Sequence, residues 1–446
     1  MVHLSDHFTF KNIFRITIFP IVMMVFTSLY SIIDGIFVAN FAGNSSFAAV
    51  NLIYPFIMII GSIGFMFGTG GTALVSKYLG EKKTEEAKST FTLIVISATI
   101  LGVVISIAGF FLIKPIVNAM ASVSSSATDE MKIEAIKYGR ILCIAQFLFI
   151  LQNVFQSFFM AAERSKLGFL FVVGGGITNM ILDALFIGVF KWGILGAAFA
   201  TITGYAVASI GPILYFFINR KGILYFVKPK FHIKEILQSA YNGMSEFVSN
   251  IAMSVVSTIY NIVLLKAYGE YGVSAYGIIM YVSFVFMAIF IGYSIGIAPA
   301  VGYNYGAKNH DELRNILIRS LQLIMVTSIV MTAFCFLTAR PFSRIFSNGD
   351  SELLNLSIKA MRINSLIFLF CGFSIFSSCF FTALNNGTVS AIISFSRTII
   401  FEIGFVYLLP LFMGNDGIWW SIVLGEFMCT VVASIFVLLN KKKYGY

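Results

Sequence analysis

The chain has 446 residues, of which 58% are hydrophobic and only 11% are charged, and its mean hydropathy is +0.90. A soluble globular protein carries about 25% charged residues. With 48 Phe and only 20 acidic residues, most of the surface of the chain must face lipid. The composition therefore excludes a soluble enzyme and predicts an all-α protein that crosses a membrane many times.

Twelve apolar stretches follow one another along the chain, and each is long enough to cross the hydrocarbon core of a bilayer as a helix. They are 13–39, 48–76, 90–113, 138–161, 167–190, 194–218, 236–266, 272–301, 315–338, 355–383, 388–413 and 417–440. No small-residue cleavage site follows the first stretch, so we interpret this stretch as a membrane helix and not as a signal peptide.

The net charge of +10 comes from Lys and Arg in short loops, where it sets membrane topology and does not indicate nucleic-acid binding. The loops on one side carry about twice as many basic residues as the loops on the other side. The positive-inside rule therefore predicts a multi-pass protein of the cell membrane with both termini in the cytoplasm.

Motifs recur at a nearly constant interval along the chain. The segment 78–82 matches 304–308 at an offset of 226 residues, and Arg140 matches Arg362 at an offset of 222. Each half has six helices, an even number, so the halves are parallel repeats of the kind that alternating-access transporters use. The predicted domains are an N-terminal lobe at 1–218, a basic cytoplasmic linker at 219–235 and a C-terminal lobe at 236–446.

Several kinds of chemistry have no motif in this sequence. There is no nucleotide-binding loop of the P-loop type, no zinc-protease motif and no nucleophile set within the membrane stretches. The five Cys lie in hydrophobic stretches without a paired spacing, and the four His form no cluster. We therefore expect no enzyme, no cofactor, no structural metal and no ATP-binding subunit, which leaves coupling to an ion gradient.

Five acidic residues lie inside apolar stretches, where a carboxylate costs at least ~2.5–3.5 kcal/mol on insertion scales. They are Asp34, Asp183, Glu246, Glu402 and Glu426. We favour ion coupling over a structural hydrogen bond for Asp34 and Asp183, and we leave both roles open for Glu246 and Glu426. Glu402 follows Arg397 by five residues, so an ordinary ion pair within one helix is the simpler interpretation there.

Asp183 has polar neighbours that extend the candidate ion site. Asn179 lies one helical turn earlier on the same face, and Thr201 on the next helix adds a hydroxyl group. A carboxylate, an amide and a hydroxyl suit a hard cation such as Na⁺, and the carboxylates could equally carry protons. Pro20 interrupts the first helix and is a candidate hinge.

These residues resemble the multidrug and toxic compound extrusion (MATE) family over essentially the whole chain. The resemblance rests on 179–187 with 193–201 for helices five and six, 301–307 for helix eight, and 33–38 for helix one. The segments 243–247 and 417–419, with Glu426, resemble the bacterial MepA-like branch. The family often has Pro where Ala184 stands in this sequence.

The resemblance implies a two-lobed, V-shaped fold of twelve helices that exports organic cations and amphipathic drugs against inward H⁺ or Na⁺. It places Asp34, Asn179, Asp183 and Thr201 at the cation site of the N-terminal lobe. Glu246 resembles an acid that other branches use on helix seven, whereas their helix-ten acid has no counterpart here. Glu246, Glu402 and Glu426 are therefore candidates for binding either ion or drug in the C-terminal lobe.

Other functions remain open at this point. A flippase for a lipid-linked saccharide or an exporter of one metabolite would share the repeats, but intramembrane acids outnumber bases here, which favours cationic cargo. A receptor or channel does not need two lobes with buried acids. We expect a monomer whose partners are small organic cations, amphipathic drugs and membrane lipid, and not nucleic acid.

Overall fold

The computed structural model describes residues 2–123, 128–347 and 350–446. Every regular element in these ranges is helical, as the composition predicts. The first eight α-helices are α1 Phe10–Phe37, α2 Asn44–Gly80, α3 Thr84–Val123, α4 Asp129–Ala161, α5 Ser165–Asp183, α6 Ile194–Ile218, α7 Ile233–Asn242 and α8 Met244–Gly306. The others are α9 His310–Leu337, α10 Ala339–Phe346, α11 Ser351–Ser365, α12 Phe368–Ala383, α13 Gly387–Phe395, α14 Ile403–Leu408, α15 Pro410–Met413 and α16 Asp416–Tyr444. Three π-helical segments continue α1, α5 and α13, and they are Val38–Ala42, Ala184–Val189 and Ser396–Glu402.

Ten helices in the described ranges are long and apolar enough to cross a membrane. One of them, α8, has 63 residues, which is about three times the length that a hydrocarbon core requires, and its backbone breaks at Gly269. In addition, α11 and α12 are bent by 48° at a short break and can form one span together. Dividing α8 at Gly269 and joining α11 to α12 brings the number to twelve, as the sequence predicts.

The internal repeat is visible in the way equivalent helices end. After α2 the amide of Lys82 donates to the carbonyl three residues back, and the next amide donates to the carbonyl five residues back. The same two hydrogen bonds follow α8 at Lys308, α4 at Glu163 and α12 at Asn385. All four residues have a φ between 55° and 62°, the left-handed conformation of a Schellman helix end. The pairs Lys82/Lys308 and Glu163/Asn385 lie 226 and 222 residues apart, the offsets of the sequence repeat.

The start of the second span of each half repeats in the same way. Gly43 precedes α2 with a φ of 94°, and Gly269 breaks α8 with a φ of 63°. Residues with a side chain rarely adopt this conformation, so glycine at both positions permits the turn between neighbouring spans. The two halves therefore share local backbone geometry as well as sequence motifs.

The described residues form two compact units. The first unit comprises Val22–Gly243 with His3, and the second unit comprises Leu4–Ile21 and Met244–Tyr446 with Val2. The chain passes from one unit to the other after Ile21 and after Gly243. The lobe boundaries at 218 and 236 rest on the sequence repeat and stay a prediction.

The first unit holds the α7 segment by a half-buried acid and a glycine. Thr90 on α3 donates its hydroxyl to Glu235 Oε2 at 2.7 Å. On α2, Gly70 lies directly against the carbonyl oxygen of Ser239, because it has no side chain to keep α7 away. Close helix packing at glycine is common in membrane proteins.

The second unit holds its N-terminal segment in the same manner. The Phe8 amide donates to Glu312 Oε1 at 2.8 Å, and His7 Nδ1 lies 2.7 Å from Glu312 Oε2. A Cβ on Gly292 would lie 2.7 Å from the Pro20 carbonyl oxygen, so glycine is required where α8 meets α1. The helix α1 is continuous through Pro20, whose role as a hinge stays a prediction.

Each unit has its own apolar interior. In the first unit, α2, α3 and α4 bury side chains such as Ile53, Ile113 and Leu142. In the second unit, the interior includes Phe368 and Trp419, which are at most 2% exposed. All five Cys are buried free thiols, consistent with small apolar residues in these interiors.

Candidate functional site

Two acidic residues of the first unit lie where an α-helix gives way to a π-helical segment. Asp34 lies in the last turns of α1, and Asp183 is the last residue of α5. The π-helical segments Val38–Ala42 and Ala184–Val189 follow these helices directly. Such segments are rare and are found frequently at functional sites.

The carboxyl groups of Asp34 and Asp183 lie within hydrogen-bonding distance of each other. Asp183 is 0% exposed. Both of its carboxylate oxygens, and Oδ1 of Asp34, are buried without a hydrogen-bond partner among the described residues. Two ionised carboxylates have no proton to share, so they repel each other at this distance. A proton or a metal cation between the oxygens would remove the repulsion.

Asn179 and Thr201 add polar groups around this acid pair. Asn179 precedes Asp183 by one turn of α5, is 4% exposed, and has no hydrogen-bond partner for either side-chain amide atom within the described ranges. Thr201 donates its hydroxyl to the Ala197 carbonyl at 2.9 Å and also lies against the hydroxyl of Tyr138, which is close to both acids. The structure thus buries Asn179 one helical turn from Asp183, and it brings Thr201 to the tyrosine beside the acids.

Tyrosines that the sequence analysis did not select surround the acid pair. Those close to Asp34 are Tyr30, Tyr54, Tyr138 and Tyr205. Tyr30 precedes Asp34 by four residues and could have been found from helical spacing. Tyr205 stacks on Phe149 with ring centroids 4.7 Å apart, and its position beside Asp34 depends on how α6 packs. The site therefore combines carboxylates with aromatic rings and phenolic hydroxyls.

The acid pair has no cationic side chain beside it in the part of the chain that the structure describes. None of the ion pairs found there includes Asp34 or Asp183. The same residues hold no group of three or more His, Cys, Asp or Glu suited to a metal ion. Two carboxylates with an amide and a hydroxyl form an oxygen-rich set, which suits either a hard cation or a proton.

The acidic candidates of the second unit gather around Arg397. Its Nε and Nη2 lie 2.7 and 2.6 Å from Oε1 of Glu426, which is 1% exposed. Arg397 therefore pairs with Glu426 and not, as the spacing suggested, with Glu402. The reason is that α16 packs closely on the π-helical segment, where Gly425 leaves room for it. Glu246 on α8 is half-buried, and its charge also acts on Arg397.

A cavity of about 500 Å³ lies elsewhere in the first unit, and neither Asp34 nor Asp183 lines it. Its ionisable lining residues are Glu130, Glu134, Lys137 and Lys191. Lys137 donates to Glu134 at 3.1 Å, so part of this charge is already paired. Unlike the acid pair, the charged residues that line this cavity therefore include both signs.

The MatE family model matches residues 20–185 and 247–408, which is most of the chain. The chain belongs to the MatE family. The two matched segments begin almost one sequence repeat apart, so each half of this MatE protein holds one copy of the family domain. Members of the family are membrane transporters, so an enzymatic family is not indicated.

The chain is similar to named relatives over nearly its whole length. It is 24% identical over 449 residues to the multidrug export protein MepA of Staphylococcus saprophyticus, covering 98% of this chain and 96% of that protein. It is 24% identical over 450 residues to MepA of Staphylococcus haemolyticus, covering 97% and 94%. The resemblance to the MepA-like branch is thereby confirmed.

Solved structures confirm the fold. One described as the outward-facing conformation of a multidrug resistance MATE family transporter of the MOP superfamily has a TM-score of 0.91 and 25% identity, covering 97% of this chain and 96% of that chain. A crystal structure of MATE in complex with MaL6 also has a TM-score of 0.91, with 24% identity and the same coverage. The protein is an all-α, multi-pass membrane protein with the fold of MATE transporters.

Proposed function

We propose that the chain is a secondary active transporter that exports organic cations and amphipathic drugs by antiport with H⁺ or Na⁺, with access alternating between the two lobes. Membership of a transporter family supports transport. The relatives named multidrug export proteins support the class of cargo.

The observation that carries the proposal is the acid pair of Asp34 and the fully buried Asp183, without a cationic partner among the described residues. A single carboxylate within a membrane costs at least ~2.5–3.5 kcal/mol, and two adjacent carboxylates repel each other in addition. Binding of an inward-moving cation neutralises this charge, and its release restores a negative site that attracts a cationic drug. One site can thus exchange two cations in turn.

The neighbours of the acid pair have distinct roles in this proposal. Asn179 and Thr201 supply neutral oxygens to the ion. The ring of Tyr30, and the face of Tyr205 that Phe149 does not cover, can stack on a flat organic cation, for which an aromatic ring is worth about 0.5–2 kcal/mol. Aromatic contacts of this kind tolerate cargo of varied shape, as multidrug export requires.

We also propose the cellular setting that the loop charges indicate. The protein is a monomer of the cell membrane with both termini in the cytoplasm, and it requires no ATP-binding subunit, nucleic acid or cofactor beyond the coupling ion. The basic residues of the linker 219–235 support this orientation under the positive-inside rule.

The experiment measures ethidium efflux from vesicles under an imposed H⁺ gradient or an imposed Na⁺ gradient. Efflux driven by one of these gradients identifies the coupling ion. We expect Asp183→Asn to abolish efflux while the protein remains in the membrane. Asp129→Asn is the matched control, because the Asp129 side chain is 93% exposed, and it should transport normally.

Normal efflux by Asp183→Asn would remove this residue from the mechanism. If the wild-type protein is present and neither gradient drives efflux, the multidrug proposal is wrong. The alternatives are then an exporter of one specific metabolite or a flippase for a lipid-linked saccharide.

A further inference from the structure

The second unit buries one guanidinium among more carboxylates than it can neutralise. Arg397 directs both Nε and Nη2 to a single oxygen, Oε1 of Glu426. The other oxygen, Oε2, is buried and has no hydrogen-bond partner in the described part of the chain. Glu402 ends the same π-helical segment as Arg397, and the hydrogen bonds and ion pairs found within the described ranges do not include it. In this contact one guanidinium therefore faces the carboxyl groups of Glu426 and Glu402, and Glu246 acts on it in addition from α8.

Close packing keeps these three side chains together. A Cβ on Gly425 would lie 3.3 Å from Cγ of Glu402, so the π-helical segment and α16 meet directly beside Glu426. The charges of Glu402 and Glu426 act on each other. The ionisable groups that face Glu402 are Arg397 on its own segment, Tyr260 and Tyr276 on α8, and Glu426 and Cys429 on α16.

The surroundings of Glu402 indicate which cation could balance the negative charge that Arg397 leaves uncompensated. Tyr260 is 0% exposed and Tyr276 is 4% exposed, and their rings stack with centroids 5.5 Å apart. The hydroxyl of Tyr260 is already bonded to Ser421 at 2.7 Å. Both rings are thus already engaged with neighbouring side chains, and a proton, the smallest cation, can reach the half-buried carboxyl group of Glu402.

We propose that Glu402 is a proton-binding site of the second unit, separate from the acid pair of the first unit, and that Arg397 is a positioning residue. Arg397 contacts Glu426 through two nitrogen atoms and forms no ion pair with Glu402, so the proton that balances the remaining charge binds at Glu402. This inference does not rest on the function proposed above, because a proton can bind at Glu402 whatever the chain transports.

The test is infrared difference spectroscopy of the full-length protein in lipid, recorded between acidic and alkaline pH. A protonated carboxyl group in apolar surroundings gives its own carbonyl stretching band, which moves in heavy water. We expect one such band of the wild-type protein to be lost in Glu402→Gln and to be shifted in Glu402→Asp, which keeps the carboxyl group. A shifted band in Glu402→Asp would show that the loss in Glu402→Gln comes from removal of the carboxyl group and not from misfolding.

Glu246→Gln is the matched control, because Glu246 is the other half-buried glutamate that acts on Arg397. This variant should keep the band assigned to Glu402. The proposal is overturned if the wild-type and Glu402→Gln spectra are the same, or if the band disappears in Glu246→Gln instead. Ethidium efflux measured in parallel reports on the acid pair, so failure of one proposal is distinguishable from failure of the other.

Discussion

In the first unit, Asp34 and Asp183 face each other with no cationic side chain beside them in the described ranges, whereas in the second unit Arg397 gives Glu426 a permanent counter-charge. Each set has a fully buried acid, Asp183 or Glu426, and each lies at a π-helical segment. They differ in where the neutralising charge comes from. Arg397 gives one carboxylate of the second unit a fixed counter-charge, whereas the acid pair of the first unit can be neutralised only by a cation from solution.

This difference assigns different tasks to similar residues. The acid pair can gain and lose a cation, which is what coupling to an ion gradient requires. The Arg397–Glu426 pair cannot exchange its counter-charge without breaking a charge-assisted hydrogen bond and a second close ion contact. The predictions below test the comparison through stability, where a structural ion pair and an exchange site should respond with opposite sign.

The largest effect should follow removal of the permanent counter-charge. We expect Arg397→Gln to lower the free energy of unfolding by about 3–5 kcal/mol, because it leaves Glu426 buried and unpaired. The measurement is thermal or denaturant unfolding of the purified protein in detergent. Arg344→Gln is the control, because Arg344 is exposed on α10 and should change stability by less than about 1 kcal/mol.

The double variant Arg397→Gln/Glu426→Gln sharpens this result. It removes both charges, so most of the lost stability should return. A double variant no more stable than Arg397→Gln would show that the guanidinium acts through packing and not through its charge.

The acid pair of the first unit should respond in the opposite direction. We expect Asp183→Asn to raise the free energy of unfolding by about 1–2 kcal/mol at alkaline pH without added metal cations, where both carboxyl groups are ionised, because it removes their repulsion and lets the new amide donate to Asp34. The same unfolding assay measures it, with Asp129→Asn as the near-neutral surface control. A loss of stability comparable with that of Arg397→Gln would break the comparison between the units.

The sequence predicted the fold well because the relevant signals are local or repeated. Apolar length marks the spans, and the match of 78–82 to 304–308 reappears as the same helix end after α2 and α8. Asp34 and Asp183 were also recognisable, since an acid within an apolar stretch stands out by composition alone. Their proximity was implied only by family resemblance, because no spacing within one helix connects α1 with α5.

The sequence did not predict contacts between helices that are far apart along the chain. Spacing within one helix suggested Glu402 as the partner of Arg397, but the closer approach of α16 placed Glu426 there instead. Tyr138 and Tyr205 were missed for the same reason, since they reach Asp34 from α4 and α6. Which side chains meet across a helix bundle depends on packing that local periodicity does not describe.

A smaller effect should follow from widening the contact between the π-helical segment and α16. We expect Gly425→Ala to cost about 1 kcal/mol, because its Cβ would crowd Cγ of Glu402 at 3.3 Å. The unfolding assay again measures it. Gly404→Ala is the matched control, since a Cβ there meets nothing within 4 Å and helix propensity should then stabilise by about 0.5–1 kcal/mol. Equal effects of the two substitutions would mean that Glu402 and Glu426 are not held together by this contact.

The smallest effect should come from the hydroxyl groups around the acid pair. Tyr138→Phe removes the hydroxyl that contacts Thr201 close to both acids, and it keeps the ring in its buried place. We expect a loss of about 0.5–1.5 kcal/mol in ion binding, the usual worth of one hydrogen bond, seen as an efflux midpoint shifted several-fold toward higher ion concentration. Tyr407→Phe, at an exposed tyrosine of the second unit, should leave the midpoint unchanged. An unchanged midpoint in Tyr138→Phe would mean that the carboxylates of Asp34 and Asp183 and the amide of Asn179 hold the cation without the phenol. The two units would then differ only in whether a guanidinium neutralises their acids.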